Sequence, residues 1–208
     1  MSQNPNVRLH RGDLPASYDP GTSVAIDTET LGLNPHRDRL CVVQLSTGDG
    51  TADVVQIVPG GPAPATLIRV LGDESVLKLF HFARFDLAVL FHRLGAMPSP
   101  VYCTKIASKL ARTYTDRHGL KDVVRETVGV DLSKQQQSSD WGADTLTQAQ
   151  LDYAASDVLH LHAAKAKLDS MLAREGRTDL AEACFRFLPS RARLDLLGWD
   201  EADIFAHT

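Results

Sequence analysis

The apolar positions divide the chain into a strand-rich front and a helical back. Short apolar runs bounded by turn residues occur at Ser23–Ile26, Leu40–Leu45, Ala52–Val58 and Val76–Phe80. Each has strand length and β-branched or aromatic side chains. Val7–Arg11 reads as a short edge strand. Leu31–Pro35 and Ser46–Gly50 read as turns, the second hairpin-like, and Pro59–Pro64 as a loop. Ala65–Leu71 is expected to be a short helix ended by Gly72. From Ala83 to Leu94 the side chains Phe85, Leu87, Ala88, Leu90, Phe91 and Leu94 recur at helical spacing, and Gly95 closes the helix.

Beyond Pro98 and Pro100 the pattern predicts helices alone. They cover Thr104–Leu110, Leu120–Val128, a long stretch from Thr147 to about Leu172, and Asp179–Phe187 stopped by Pro189. Thr147 with Gln150 three residues later fits a capping box. Asp131–Gly142 is rich in Gln and Ser and reads as an ordered loop. Strands early and helices later imply an α/β fold with a mixed sheet covered by helices. One domain over residues 1–208 is expected. Residues from about 176 to 208 form an extension that covers the core or contacts another subunit, because Phe185, Phe187, Leu194, Leu196, Leu197 and Trp199 carry apolar surface there.

Composition narrows the class. At 43% hydrophobic and 23% charged the 208 residues suit a soluble globular protein. No stretch nears the roughly 20 apolar residues of a membrane span, and no signal peptide is read at the N-terminus. A net charge of −4 argues against a broad basic surface for long nucleic acid, though not against a small basic pocket. Cys41, Cys103 and Cys184 are distant from one another and odd in number. They are expected to be inert core residues in a reducing cytoplasm.

Candidate chemistry begins with Asp27 and Glu29. Alternate residues of a strand share a face, so these carboxylates point the same way and repel unless a cation lies between them. A hard divalent ion suits that position; a solvated turn after a strand is the plain alternative. Asp86 falls in the first turn of its helix, where the helix dipole alone favours an acid. Tyr153 and Asp157 lie four apart on one helical face that continues to His160 and Leu161. Aspartate is a mildly unfavourable helix residue, so Asp157 needs a reason, whether solvent or a site.

The order strand D-x-E, then His81-x-x-x-Phe85-Asp86, then Tyr153-x-x-x-Asp157 resembles the DEDD superfamily of 3′→5′ exonucleases, tyrosine subgroup. Lys134–Trp141 and Leu146–Asp157 extend the likeness to the nuclease domain of ribonuclease D, over roughly residues 20–175. The short form is similar to the stand-alone nano-RNase C family. That resemblance implies an RNase H-like core and two divalent ions, Mg²⁺ or Mn²⁺. By it, Asp27 bridges both ions, Glu29 and Asp157 complete the water-activating site, Asp86 serves the second ion, and Tyr153 orients the attacking water. It also implies short single-stranded RNA and RNA dinucleotides as substrates, and a homo-oligomer, an octameric ring.

Thr28, Leu31, His81 and Phe82 are the candidate substrate contacts. Leu31 and Phe82 serve equally well as core residues. Trp141 is expected to pack rather than stack on a base. Lys105, Lys109, Arg112, Arg117 and Lys121 offer charge to a 5′ phosphate, although a solvated basic face explains most of them. The remaining histidines form no metal-ligand array. Two alternatives stay open: ribonuclease D-like trimming of longer RNA or of DNA ends, and an inactive nucleic-acid-binding module. The presence of all four acids and the tyrosine weighs against the second.

Overall fold

The computed structural model describes residues 6–133 and 135–207. The first five residues and Lys134 of the Lys134–Trp141 stretch lie outside the described residues. Six strands form one mixed sheet in the order β1-β4-β3-β2-β5-β6. They are β1 Asn6–Arg11, β2 Ser23–Thr30, β3 Leu40–Ser46, β4 Thr51–Gln56, β5 Leu77–Phe80 and β6 Val101–Cys103. β2, β3 and β4 run as an antiparallel meander, while β1 joins β4, β5 joins β2 and β6 joins β5 in parallel.

Seven helices surround the sheet among the described residues: α1 Ala65–Gly72, α2 Ala83–Leu94, α3 Thr104–Ala111, α4 Leu120–Val128, α5 Gln148–Leu159, α6 Leu161–Arg174 and α7 Thr178–Leu194. One sheet face buries Val42 and Val54 against Trp141, Leu146 and Ala154 of the α5 region. The larger core gathers Ile26, Val43 and Leu45 with Leu87, Val89 and Leu90 of α2 and with buried residues of α6 and α7. The predicted α/β architecture is therefore present, with its strands first and its helices interleaved.

Four local expectations are corrected. β2 does not stop at Ile26. It runs on to Thr30, because Asp27 and Glu29 still pair with Gln44 and Val42 of β3. A short strand, β6, stands where helix alone is expected after Pro100; three residues are too few to show a period of two. The long helix from Thr147 is broken at His160 (φ −105°, ψ −2°) into α5 and α6. Its apolar periodicity reads through the break because Val158 and Leu161 are both buried. Pro189 does not stop α7. A proline inside a helix costs about 3 kcal/mol, and burial of Ala181, Phe185, Leu188 and Ala192 along the same helix outweighs it.

Two side chains also differ from expectation. Cys184 is half-buried rather than a core residue. Arg112 is fully buried, ion-paired with Glu126 and donating to Ser108 Oγ and the Arg117 carbonyl, both at 2.8 Å.

Beyond α7 the chain forms a wide π-helical turn, Asp195–Trp199. Asp195 accepts from two arginines on different helices: Arg84 Nε of α2 at 2.5 Å and Arg191 Nε of α7 at 2.9 Å. His36 Nε2 reaches the Leu196 carbonyl at 3.0 Å. The C-terminal segment is thereby strapped to the start of α2 and to the loop that follows β2. Phe185 and Leu188 are buried, whereas Phe187, Leu197, Trp199, Ile204 and Phe205 remain exposed.

Candidate active site

The acidic centre is assembled from the middle of the sheet and one helix. Asp27 and Glu29 leave the same face of β2, as strand alternation requires, and Asp157 descends from α5. Oxygens of the three carboxylates lie within 4.8 Å of one another. α5 is held at its start by the predicted capping box: Thr147 Oγ1 accepts from the Gln150 amide, and Gln150 Oε1 accepts from the Thr147 amide at 2.9 Å. Gln150 Nε2 also donates to the Asp140 carbonyl at 3.1 Å, tying the preceding loop to the helix. Tyr153, one turn before Asp157, lies against buried Trp141 with ring centres 6.0 Å apart. Trp141 thus packs, as expected.

Asp86 sits behind this trio. It is buried in the first turn of α2 and accepts from Thr28 Oγ1 at 2.7 Å. Phe82 precedes that helix with φ 68°, among the described residues the one non-glycine in the left-handed region. That conformation costs a side-chain-bearing residue about 1–2 kcal/mol. It turns the chain sharply from β5 into α2 and so delivers Asp86 to the end of β2.

The electrostatics are those of crowded acids. Burial raises the Asp27 carboxyl to about 7. Burial, followed by the charges of Asp27, Asp157 and Asp86, raises Glu29 to about 10. Asp86 and Asp157 are raised by burial and then by the charge of Asp27. Burial also raises the Tyr153 hydroxyl, with Asp157 and Glu29 adding to it. Among the described residues none of the four carboxylates is ion-paired with a lysine or arginine. Buried like charges without a cationic partner fit a divalent ion, which prefers carboxylate oxygens.

The trio opens into a cleft of about 650 Å³. Leu31, 52% exposed, stands at one side, and Lys105 and Lys121 bring positive charge to the same cleft. His81 faces it too. The Thr104 hydroxyl donates to the Phe80 carbonyl at 3.1 Å, so His81 Nδ1 must be the donor to Thr104 Oγ1 at 2.8 Å. Nε2 is then a bare acceptor, buried without a partner among the described residues. Burial, with Lys105 adding to it, lowers His81 to about 3, so the ring is neutral.

A model of the 3′–5′ exonuclease family matches residues 13–173. The chain belongs to this exonuclease family. It is 36% identical over 154 residues to ribonuclease D of Granulibacter bethesdensis, an alignment covering 74% of this chain and 38% of that protein. The chain therefore spans well under half the length of the ribonuclease D relatives it matches. Among solved structures it is similar to Brucella melitensis NrnC at 64% identity and TM-score 0.94, covering 98% of this chain and 99% of that one. NrnC has also been solved bound to pGG and with bound Mg²⁺. Escherichia coli RNase D is similar at 28% identity and TM-score 0.74, covering 83% of this chain and 45% of that one.

Against this exonuclease frame, the structure gathers Asp27, Glu29, Tyr153 and Asp157 around one cleft, with Asp86 buried behind them. Leu31 and His81 line that cleft. Thr28 also borders it, but its hydroxyl is committed to Asp86. Phe82 is the exception. It lies outside the cleft lining, 45% exposed, with Lys105 Nζ 4.2 Å above its ring centre.

Sequence reasoning missed Gln44. It is fully buried on β3, directly opposite Asp27, and Nε2 donates to Asp27 Oδ2 at 2.6 Å. Among the described residues its Oε1 has no partner, which costs about 1–3 kcal/mol when buried. The available signal was one long polar side chain in the otherwise apolar run Leu40–Leu45.

Proposed function

We propose that this exonuclease hydrolyses short oligoribonucleotides from the 3′ end, dinucleotides included, releasing nucleoside 5′-monophosphates. The observation that carries the reading is the convergence of Asp27, Glu29 and Asp157, unpaired with any cationic side chain among the described residues, at a cleft that Leu31, Lys105 and Lys121 also line. The preference for short substrates draws support from NrnC, 63% identical in its structure bound to pGG.

Asp27, Glu29 and Asp157, with Asp86 behind, are the residues that would hold two Mg²⁺ or Mn²⁺ ions. Bound there, the ions supply an acidified water and neutralise charge on the scissile phosphate. Tyr153 keeps its proton at neutral pH, since its hydroxyl is raised above the ordinary ~10 of tyrosine. We therefore assign it chiefly to orienting the attacking water by hydrogen bonding, with bound metal supplying most of the acidification. Leu31 offers apolar surface to the terminal bases, a contact that tolerates any base. Lys105 and Lys121 meet phosphate charge as point cations. His81 lines the cleft as a neutral ring fixed by Thr104.

The segment from about residue 176 onward serves both as packing, through Phe185 and Leu188, and as a contact to further copies through its exposed apolar residues. An octamer is the assembly we infer from the resemblance. Three free cysteines suit a cytoplasmic setting.

Cleavage of 5′-labelled RNAs of two, three, five, seven and twenty nucleotides with Mn²⁺ or Mg²⁺, beside Asp27→Asn, tests the reading. Fast loss of the shortest RNA and slow attack on the longest supports it. Ladders that descend from twenty and stall before the dinucleotide would replace it with ribonuclease D-like trimming. Metal-dependent loss of DNA of the same lengths at equal rates would extend the substrate class to DNA ends. No metal-dependent cleavage at any length would leave a binding module.

A further inference from the structure

We infer that Gln44 is a positioning residue for the metal centre. It holds the Asp27 carboxylate in the orientation that receives a cation. The inference rests on the proposed role of Asp27 as a metal ligand. Gln44 is opposite Asp27 in the β2–β3 register, so the two side chains leave the same face as cross-strand neighbours. A carboxylate only accepts, so the amide must turn its NH₂ group toward Asp27, which it meets at 2.6 Å.

The chemistry of the position is specific. A lysine there would neutralise Asp27 and compete with a cation. A glutamate would add to the repulsion. A neutral donor occupies one carboxylate oxygen without cancelling the charge, so the second oxygen is presented in a fixed direction. Such support of a metal ligand by a hydrogen-bonding neighbour commonly governs affinity ten- to a hundred-fold.

The orphaned end of the amide makes the same point from the other side. Among the described residues Gln44 Oε1 is buried with no hydrogen-bond partner. Packing alone would be served as well by an apolar side chain of similar shape, since Val42 and Val54 beside it belong to a continuous apolar cluster. The polar group is unfavourable for the fold and finds its use in the contact with Asp27.

Gln44→Met keeps length and volume while removing both the donor and the orphaned acceptor. The test is calorimetric titration of the purified full chain with Mn²⁺ alone, with thermal unfolding in the absence of metal and steady-state cleavage of a dinucleotide as companions. Gln44→Met is expected to unfold at or above the wild-type temperature without metal, to bind Mn²⁺ about ten-fold or more weakly, and to lose kcat more than KM at a fixed Mn²⁺ concentration, with partial recovery as Mn²⁺ is raised. Gln44→Asn retains the amide but withdraws it from Asp27. It is expected to show the same weakened binding, and it stands in if the methionine variant does not fold.

Mn²⁺ affinity within two-fold of wild type in the folded variant overturns the proposal. So does a loss of thermal stability with unchanged Mn²⁺ binding, the signature of a structural role. A wild-type chain that binds no Mn²⁺ overturns the metal centre itself, and that result is separate because it appears before any substitution at Gln44.

Discussion

The Thr28 hydroxyl donates to Asp86 at 2.7 Å, and both side chains are buried. Strand alternation sends Thr28 to the face opposite Asp27, so this bond couples α2 to the strand that carries two of the acids. Thr28→Val keeps the shape and removes the donor. It is expected to cost about 1–3 kcal/mol, the range for a buried bond to an ionisable group, and to slow cleavage while leaving KM nearly unchanged. Thr28→Ser should restore both. Thermal unfolding and initial rates measure the effect; a loss in the serine variant with none in the valine variant would assign the role to the methyl group instead.

Asp27→Asn is expected to reduce cleavage by about a thousand-fold or more, as removal of a central catalytic group commonly does. The same change relieves repulsion among buried acids, because the charge of Asp27 helps to raise Glu29, Asp86 and Asp157. The metal-free variant should therefore melt no lower than wild type and should lose the stabilisation that Mn²⁺ gives to wild type. A variant that melts lower in the absence of metal would show Asp27 to be chiefly structural.

Leu31 projects into the cleft with half of its surface exposed, so truncating it leaves the core intact. Leu31→Ala is expected to raise KM for a dinucleotide by roughly ten-fold, the equivalent of about 1.4 kcal/mol of lost apolar contact, with unaltered Mn²⁺ binding and an unaltered melting temperature. Comparing two- and seven-nucleotide RNAs checks the prediction, since the longer substrate has other contacts and should be affected less.

His81 provides the pH test. Its folded value, about 3, lies below the ~6.5 of a free histidine. Between those values the unfolded chain takes up a proton that the folded chain refuses. The contribution is therefore complete above about pH 6.5 and is lost as pH falls toward 3. Denaturant unfolding of wild type at pH 7, 6 and 5 should show a steeper fall in stability than His81→Gln. Identical slopes for the two proteins would mean that His81 titrates in the folded protein as it does in the unfolded chain.

Much of this site was legible because its signals are local. D-x-E on a strand, the apolar spacing of Ala83–Leu94 and the Thr147/Gln150 capping box each express a backbone period or a short-range bond, and each appears in the structure. Gln44 was not legible, because its meaning lies in a cross-strand register that the local pattern of β3 does not contain. That Phe82 is 45% exposed rather than a core residue was not legible either, because its left-handed backbone leaves no mark in the local pattern. Pro189 and His160 misled in opposite ways: tertiary burial carried a helix through the proline, and continuous burial masked a break at the histidine.

Asp195 gives the C-terminal segment a meaning beyond cover for the core. Arg84 lies two residues before Asp86, and the same aspartate that grips it also grips Arg191, while His36 holds the next residue of the strap from the loop after Leu31. The π-helical turn Asp195–Trp199 works as a keystone set late into an arch whose two feet are the second acidic motif and the loop after Leu31. Damage far out in the tail would then be felt as a slackened catalytic centre in a protein that still folds.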